Sequence, residues 1–345
     1  MKKILIIRTD RLGDVILSTP VLRSVRENLP ESHIAVMVKP YTRECVEGNP
    51  YIDEVIVYDK ENRERSLFGS LRFAMNLRKK RFDTALILHP ANRVNLVAFL
   101  AGIPERIGFD RKMGFLLTKK VPHRKQFGQK HELDYSLDIL EAAGMKPTTR
   151  SLYMPVDRET KRRMEKRLSG LGVRQGDLLV AIHPSSSCPS KKWLPGRFAN
   201  VADRLIDDYN VKIALIGGPG AANDARAVKD TMKHKPLDLS GGTSVSELAA
   251  LLKRCVLFIS NDSGPVHAAS AVGTPVIAIF GRKDAGLGPR RWGPTGEHDI
   301  ILHKDAGCGK CLAHNCDKGF LCLRAVTEDE VLKAAEMILN RDKQR

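Results

Sequence analysis

The chain opens on a short apolar run, Lys3–Ile7, followed by a polar loop, Arg8-Thr-Asp-Arg-Leu-Gly-Asp14. Beyond the loop, Val21, Leu22 and Val25 recur at helical spacing. The pattern reads strand, loop, helix. Further strands are expected at 33–38, 54–58 and 83–88, with helical patterns between them. The alternation restarts after a charged stretch at 158–174. Strands are expected there at 178–182, 211–216, 256–260 and 275–280, and helices at 198–209, 245–252 and 268–272. A last helix at 327–340 is announced by the capping-box pair Thr327 and Glu330. Strands alternating with helices predict an α/β protein with parallel sheets. The expected organisation is a first domain at 1–155, a second at 175–325, and a C-terminal helix and tail at 326–345.

Length and composition agree with two globular domains: 345 residues, 42% hydrophobic and 28% charged. The N-terminus holds only four apolar residues between charges, too few for a signal-peptide core. The one long uncharged run, 263–281, contains three Gly and two Pro and reads as loop, helix and buried strand rather than a membrane span. A cytoplasmic protein is expected. Charge adds a new element: 57 Lys and Arg against 40 Asp and Glu, a net +17, which calls for an anionic partner. Eight cations against two acids fall in 60–81, and eight against one in 106–130. These segments suit either an anionic membrane surface or a solvated basic face. Nucleic acid is not expected, because no finger, RNP-like or basic-zipper motif is present and aromatics are 6%.

Ligands of parallel α/β sheets bind beyond the carboxyl ends of strands, so the informative loops follow strands. In the first, Gly13 permits a tight turn, and Asp14 either caps the helix or accepts a proton from a bound hydroxyl. In the second, His183 to Trp193, hydroxyls that include Ser186 and Ser187 precede Lys191 and Lys192. That loop is a phosphate site or a solvated Ser-rich segment. In the third, Asn261-Asp-Ser-Gly-Pro-Val-His267, Gly264 and Pro265 open a helix whose first amides point at an anion, with Asp262, Ser263 and His267 beside them. Gly217-Gly-Pro-Gly220 matches no phosphate-loop spacing and reads as a turn; the neighbouring Asn223 and Asp224 are ribose candidates. The spacing Cys308-x2-Cys311-x4-Cys316-x5-Cys322 is open to zinc, to an iron–sulfur cluster, or to reduced structural thiols. No metal is expected there.

Taken together, Arg8-x4-Gly13-Asp14-x3-Ser18-Thr-Pro20, the Ser-rich loop with Lys191-x-Trp193, Asp262-Ser-Gly-Pro-x-His267 and Ala278-Ile-Phe-Gly281 resemble the family 9 glycosyltransferases, the lipopolysaccharide heptosyltransferases. The resemblance implies the GT-B fold, two Rossmann-like domains facing across a cleft, the first binding the acceptor and the second the nucleotide sugar. It implies inverting transfer of heptose from ADP-heptose, as co-substrate, to the inner core on lipid A, with domain closure. Asp14 then matches the general base and Lys191 the lysine at the donor diphosphate. Ser186, Ser187, Asp262, Ser263, Gly264 and His267 match donor-binding positions, and Arg8, Arg11 and Gly13 lie on the acceptor side. The partners implied are the nucleotide sugar, an anionic glycolipid and the cytoplasmic surface of the inner membrane, with peripheral association. The chain has no Asp-x-Asp clamp, so no cofactor is expected and fixed cations carry the diphosphate. Two other readings are a sibling GT-B enzyme using another nucleotide sugar, and a metal-cluster or nucleic-acid-binding protein on a Rossmann-like scaffold.

Overall fold

The computed structural model describes residues 1–342. The chain divides into two compact units, Met1–Pro155 and Val156–Arg345. The first unit holds strands β1 (Lys3–Ile7), β2 (His33–Val38), β3 (Glu54–Val57), β4 (Thr84–Ile87), β5 (Glu105–Phe109) and β6 (Lys119–Val121). Its helices are α1 (Leu12–Ile16), α2 (Thr19–Asn28), α3 (Leu67–Arg78), α4 (Asn92–Leu100) and α5 (Glu132–Ala142). All six strands are parallel, in the order β3-β2-β1-β4-β5-β6.

The second unit starts with α6 (Arg158–Gly170), which buries Met164 and Leu168 under its charged face. Strands β7 (Leu179–His183), β8 (Lys212–Leu215), β9 (Leu237–Asp238), β10 (Leu257–Asn261), β11 (Val276–Phe280) and β12 (Ile300–His303) follow. They alternate with α7 (Pro195–Tyr209), α8 (Ala222–Lys229), α9 (Val245–Arg254), α10 (Gly264–Val272) and α11 (Pro289–Trp292). The sheet order is β12-β11-β10-β7-β8-β9, again all parallel. Counted from its own first strand, this order repeats that of the first unit. A four-residue helix, α12 (Leu321–Arg324), and a fifteen-residue helix, α13 (Glu328–Asp342), follow. Val331, Ala335 and Ile338 of α13 belong to the second unit's core.

Central strands are mostly apolar because both faces are covered: β1, β7, β10 and β11 are almost wholly buried, with polar residues only at strand ends. Each sheet reverses its strand order once, between β1 and β4 and between β7 and β10. Crevices beyond the carboxyl ends of the strands at these two reversals are where such folds bind ligands. No helix among the described residues is long and apolar enough to cross a membrane.

Candidate active site

At the first reversal the loop after β1 carries a buried charge cluster. Arg8, 2% exposed in its side chain, lies 2.7 Å from Asp14, 3.0 Å from Asp10 and 3.0 Å from Glu132. Its remaining nitrogen donates to the Leu88 carbonyl at 2.8 Å, which ties the loop to the end of β4. Lys125, also buried, pairs with Glu132 at 2.5 Å and lies over the Phe109 ring. Arg8 and Lys125 thus meet Asp10, Asp14 and Glu132, and Lys60, which donates to the Thr9 carbonyl at 2.9 Å, adds a third cation at the edge of the group. Burial pushes the Asp14 carboxyl up to about 6; the nearby Asp10 carboxylate adds to the rise, and Arg8 opposes it. His89, at the end of β4, is held down at about 3, chiefly by burial and then by Arg8, so its ring is neutral. It lies 3.4 Å from the Thr9 hydroxyl.

Asp14 sits in the first turn of α1. The N-cap residue Arg11 makes no side-chain capping bond, and the Asp14 carboxylate is engaged by Arg8. The tight turn expected at Gly13 does not form: α1 begins directly at Leu12, and Gly13 is a buried helical residue whose φ is not positive. Arg11 precedes α1 and is exposed, away from the cluster.

At the second reversal, Lys191 lies 2.8 Å from Asp262 Oδ2, and Arg282 reaches the same oxygen at 3.1 Å. All three are largely buried. Two cations on one carboxylate leave a single positive charge in excess. Ser186 donates to the Asp262 carbonyl at 3.1 Å. The Ser263 hydroxyl lies 3.1 Å from His183 Nδ1 and 2.9 Å from Ser260. That hydroxyl is therefore turned away from the start of α10, which no side chain caps. Burial holds His183 down at about 4, so it adds no charge. Gly264 is the first residue of α10, and Pro265 follows it within the first turn; His267 is buried one turn further on. An anion set against these first amides would be met by the helix dipole and by the excess cation. Ser187 is exposed, outside the hydrogen-bonded group. Asp224 is ion-paired with Lys192 at 2.8 Å.

Sequence reasoning missed Asp10, Lys125, Glu132 and His89 in the first unit and Arg282 and His183 in the second as members of these clusters. Arg282 stands one residue beyond the Ala278-Ile-Phe-Gly281 marker, a signal within reach. Glu132 lies 124 residues from Arg8, and only the strand order brings them together. Lys125 also changes how the basic segment at 106–130 is read, since one of its cations is consumed internally. The four cysteines Cys308, Cys311, Cys316 and Cys322 are unbridged and half-buried. They line a cavity of about 300 Å³ beside Gly281 and Arg282. Among the described residues, no group of three or more His, Cys, Asp or Glu side chains is arranged to hold a metal ion.

Two doubly wound parallel units, each with a charged cluster at its strand reversal, define the GT-B class of glycosyltransferase. The chain belongs to glycosyltransferase family 9 (heptosyltransferase), whose model matches residues 70–321. It is 27% identical to lipopolysaccharide heptosyltransferase 3 of Escherichia coli K12 over 96% of both chains. Among solved structures it is similar to the family 9 glycosyl transferase of Veillonella parvula, with a TM-score of 0.87, 30% identity, and coverage of 99% of this chain and 98% of that one. It also shares its fold with the E. coli ADP-heptose lipopolysaccharide heptosyltransferase II, with a TM-score of 0.81, 21% identity, and coverage of 99% and 100%.

Proposed function

We propose that this enzyme transfers heptose from ADP-heptose, with inversion, to a hydroxyl of the lipopolysaccharide inner core on a lipid A-linked acceptor. The observation that carries the donor assignment is the Lys191–Asp262–Arg282 group at the uncapped start of α10. It offers one excess positive charge beside the helix N-terminus at Ser263 and Gly264, a combination suited to a nucleotide diphosphate. The names of the relatives, heptosyltransferases of lipopolysaccharide, supply the sugar and the acceptor class.

In this reading the acceptor oxygen attacks the anomeric carbon from the face opposite the diphosphate. The bond from that carbon to the diphosphate oxygen breaks, and its electron pair leaves with ADP. Asp14 takes the hydroxyl proton. A carboxyl with a pKa near 6 is ionised at neutral pH and yet more basic than an ordinary aspartate. Lys191, Arg282 and the α10 amides meet the negative charge that grows on the departing diphosphate. Arg8 orients Asp14 and keeps part of its charge compensated. The acceptor is an anionic glycolipid, and the enzyme works peripherally at the cytoplasmic face of the inner membrane.

A thermal-shift comparison of ADP-heptose, GDP-mannose and UDP-glucose, followed by transfer to lipid A-linked inner-core acceptors carrying no, one or two heptoses, tests the proposal. Stabilisation by ADP-heptose and mass gain of one heptose on the acceptor are expected. A response confined to the UDP or GDP sugar overturns the donor assignment.

A further inference from the structure

Helix α3 turns a hydrophobic face to solvent. Leu67 and Phe68 are each 76% exposed, Leu71 43% and Met75 46%. At 100° per residue these four share an arc of about 100° on the helix surface. Ser70, Ala74 and Leu77, on the adjoining arc, are the residues α3 buries. The apolar arc is therefore a second face, widely open at Leu67 and Phe68 and half-covered at Leu71 and Met75. Arg72, Arg78 and Lys79 stand along its rim and at its C-terminal end, all exposed. The neighbouring elements repeat the pattern: Phe99 of α4, which packs on α3, and Phe115 of the 114–116 turn, which packs on α4, are exposed at 46% and 71%.

Position relates this face to the acceptor site. Helix α3 runs back from the carboxyl edge of the sheet toward β4, so its first turn, with Leu67 and Phe68, lies at the rim where β1 ends. The loop leading into α3 touches the site directly, since Lys60 donates to the Thr9 carbonyl at 2.9 Å.

We infer that the α3 face, Leu67–Phe68–Leu71–Met75 with its cationic rim, docks the enzyme onto an anionic lipid bilayer by inserting the apolar side chains among the headgroups. This deepens the proposed function and rests on its membrane-anchored acceptor. An apolar stripe flanked by Arg and Lys is the composition of an interfacial helix, and the cations meet anionic headgroups at the same depth. A second copy of the chain is the poorer occupant, because a two-fold contact would set one cationic rim against another. Docked in this way, the enzyme would present the Arg8–Asp14 rim to a sugar that projects from the membrane.

The test uses the full chain and vesicles of phosphatidylethanolamine with 30% phosphatidylglycerol, against vesicles of phosphatidylcholine alone. Wild type is expected to sediment with the anionic vesicles and much less with the neutral ones. Phe68→Ser/Leu71→Ser is expected to lose binding by at least tenfold, and Phe68→Trp to shift its emission to the blue when anionic vesicles are added. Circular dichroism checks that the double variant is folded. Heptose transfer to a deacylated, water-soluble acceptor should be the same for the double variant and wild type, whereas transfer to acceptor embedded in vesicles should fall with binding. Equal vesicle binding by variant and wild type overturns the inference. So does a change from dimer to monomer in the variant with vesicle binding unaltered, which would assign the face to a second copy. Absence of transfer by wild type to the soluble acceptor would instead count against the proposed function and leave the vesicle result to be judged separately.

Discussion

Asp14 is the residue on which chemistry and stability pull in opposite directions. Its folded pKa, about 6, lies above the unfolded value of about 3.9. The ionised side chain therefore costs the fold stability above pH 6, and that cost disappears as the pH falls. Asp14→Asn should lower kcat by roughly 10²–10⁴-fold while leaving ADP-heptose affinity unchanged by calorimetry. At pH 8 the variant should be at least as stable as wild type in urea unfolding, because the ionised buried carboxylate is removed. Loss of stability together with activity would mark Asp14 as structural. The same carboxyl sets a pH limit: kcat/KM should decline tenfold per unit below about pH 6 in wild type. Glu132→Gln, which removes a neighbouring negative charge, should move that limit to lower pH, read from the pH profile. Asp14 was legible from the strand-loop-helix pattern and from the family markers. Glu132 and Lys125 were not, because each reaches Arg8 from a distant segment of chain. Nothing local distinguishes a buried Lys125 from the exposed cations around it.

At the scale of elements, the long apolar strands and the capped helices were legible, and the short edge elements were not. Reciprocal Thr327–Glu330 bonds form as the capping box requires. The strands β5, β6, β9 and β12 were not expected; β6 and β9, at three and two residues, are too short for an alternation to show. β6, with sequence Lys-Lys-Val, bonds on one side only, and charged side chains are tolerated there. The amphipathic stretch after β1 divides into α1 and α2 near Leu17 and Ser18 rather than forming one helix. Gly281 shows how a marker glycine works. A Cβ at this position would lie 2.6 Å from the Ser190 carbonyl and 2.8 Å from Leu323. The close approach seats the turn that carries Lys191. Gly281→Ala should displace that turn, cost about 1–3 kcal/mol of stability and weaken ADP-heptose binding about tenfold. Urea unfolding followed at Trp193 and titration calorimetry would measure the two effects. An alanine variant with wild-type affinity would separate Gly281 from the donor site.

For the whole molecule, the division of labour between the units has a consequence that tryptophan fluorescence can read. Both tryptophans, Trp193 and Trp292, lie in the second unit, and Trp193 is 1% exposed. Each unit has its own sheet and its own buried core, so thermal unfolding is expected to show two transitions, of which fluorescence follows the second unit's. ADP at about 100 times its dissociation constant stabilises the state that binds it by about 2.7 kcal/mol. In a unit of this size that corresponds to a rise of roughly 5–10 °C. If the donor site is built from the second unit's residues alone, ADP raises the fluorescence-detected transition by that amount. A second transition, seen by calorimetry but silent in fluorescence, then stays where it was. Lys191→Ala should remove most of the shift, whereas Asp14→Asn should leave it intact. A rise confined to the fluorescence-silent transition would assign the nucleotide to the first unit and reverse the proposed roles of the two charge clusters.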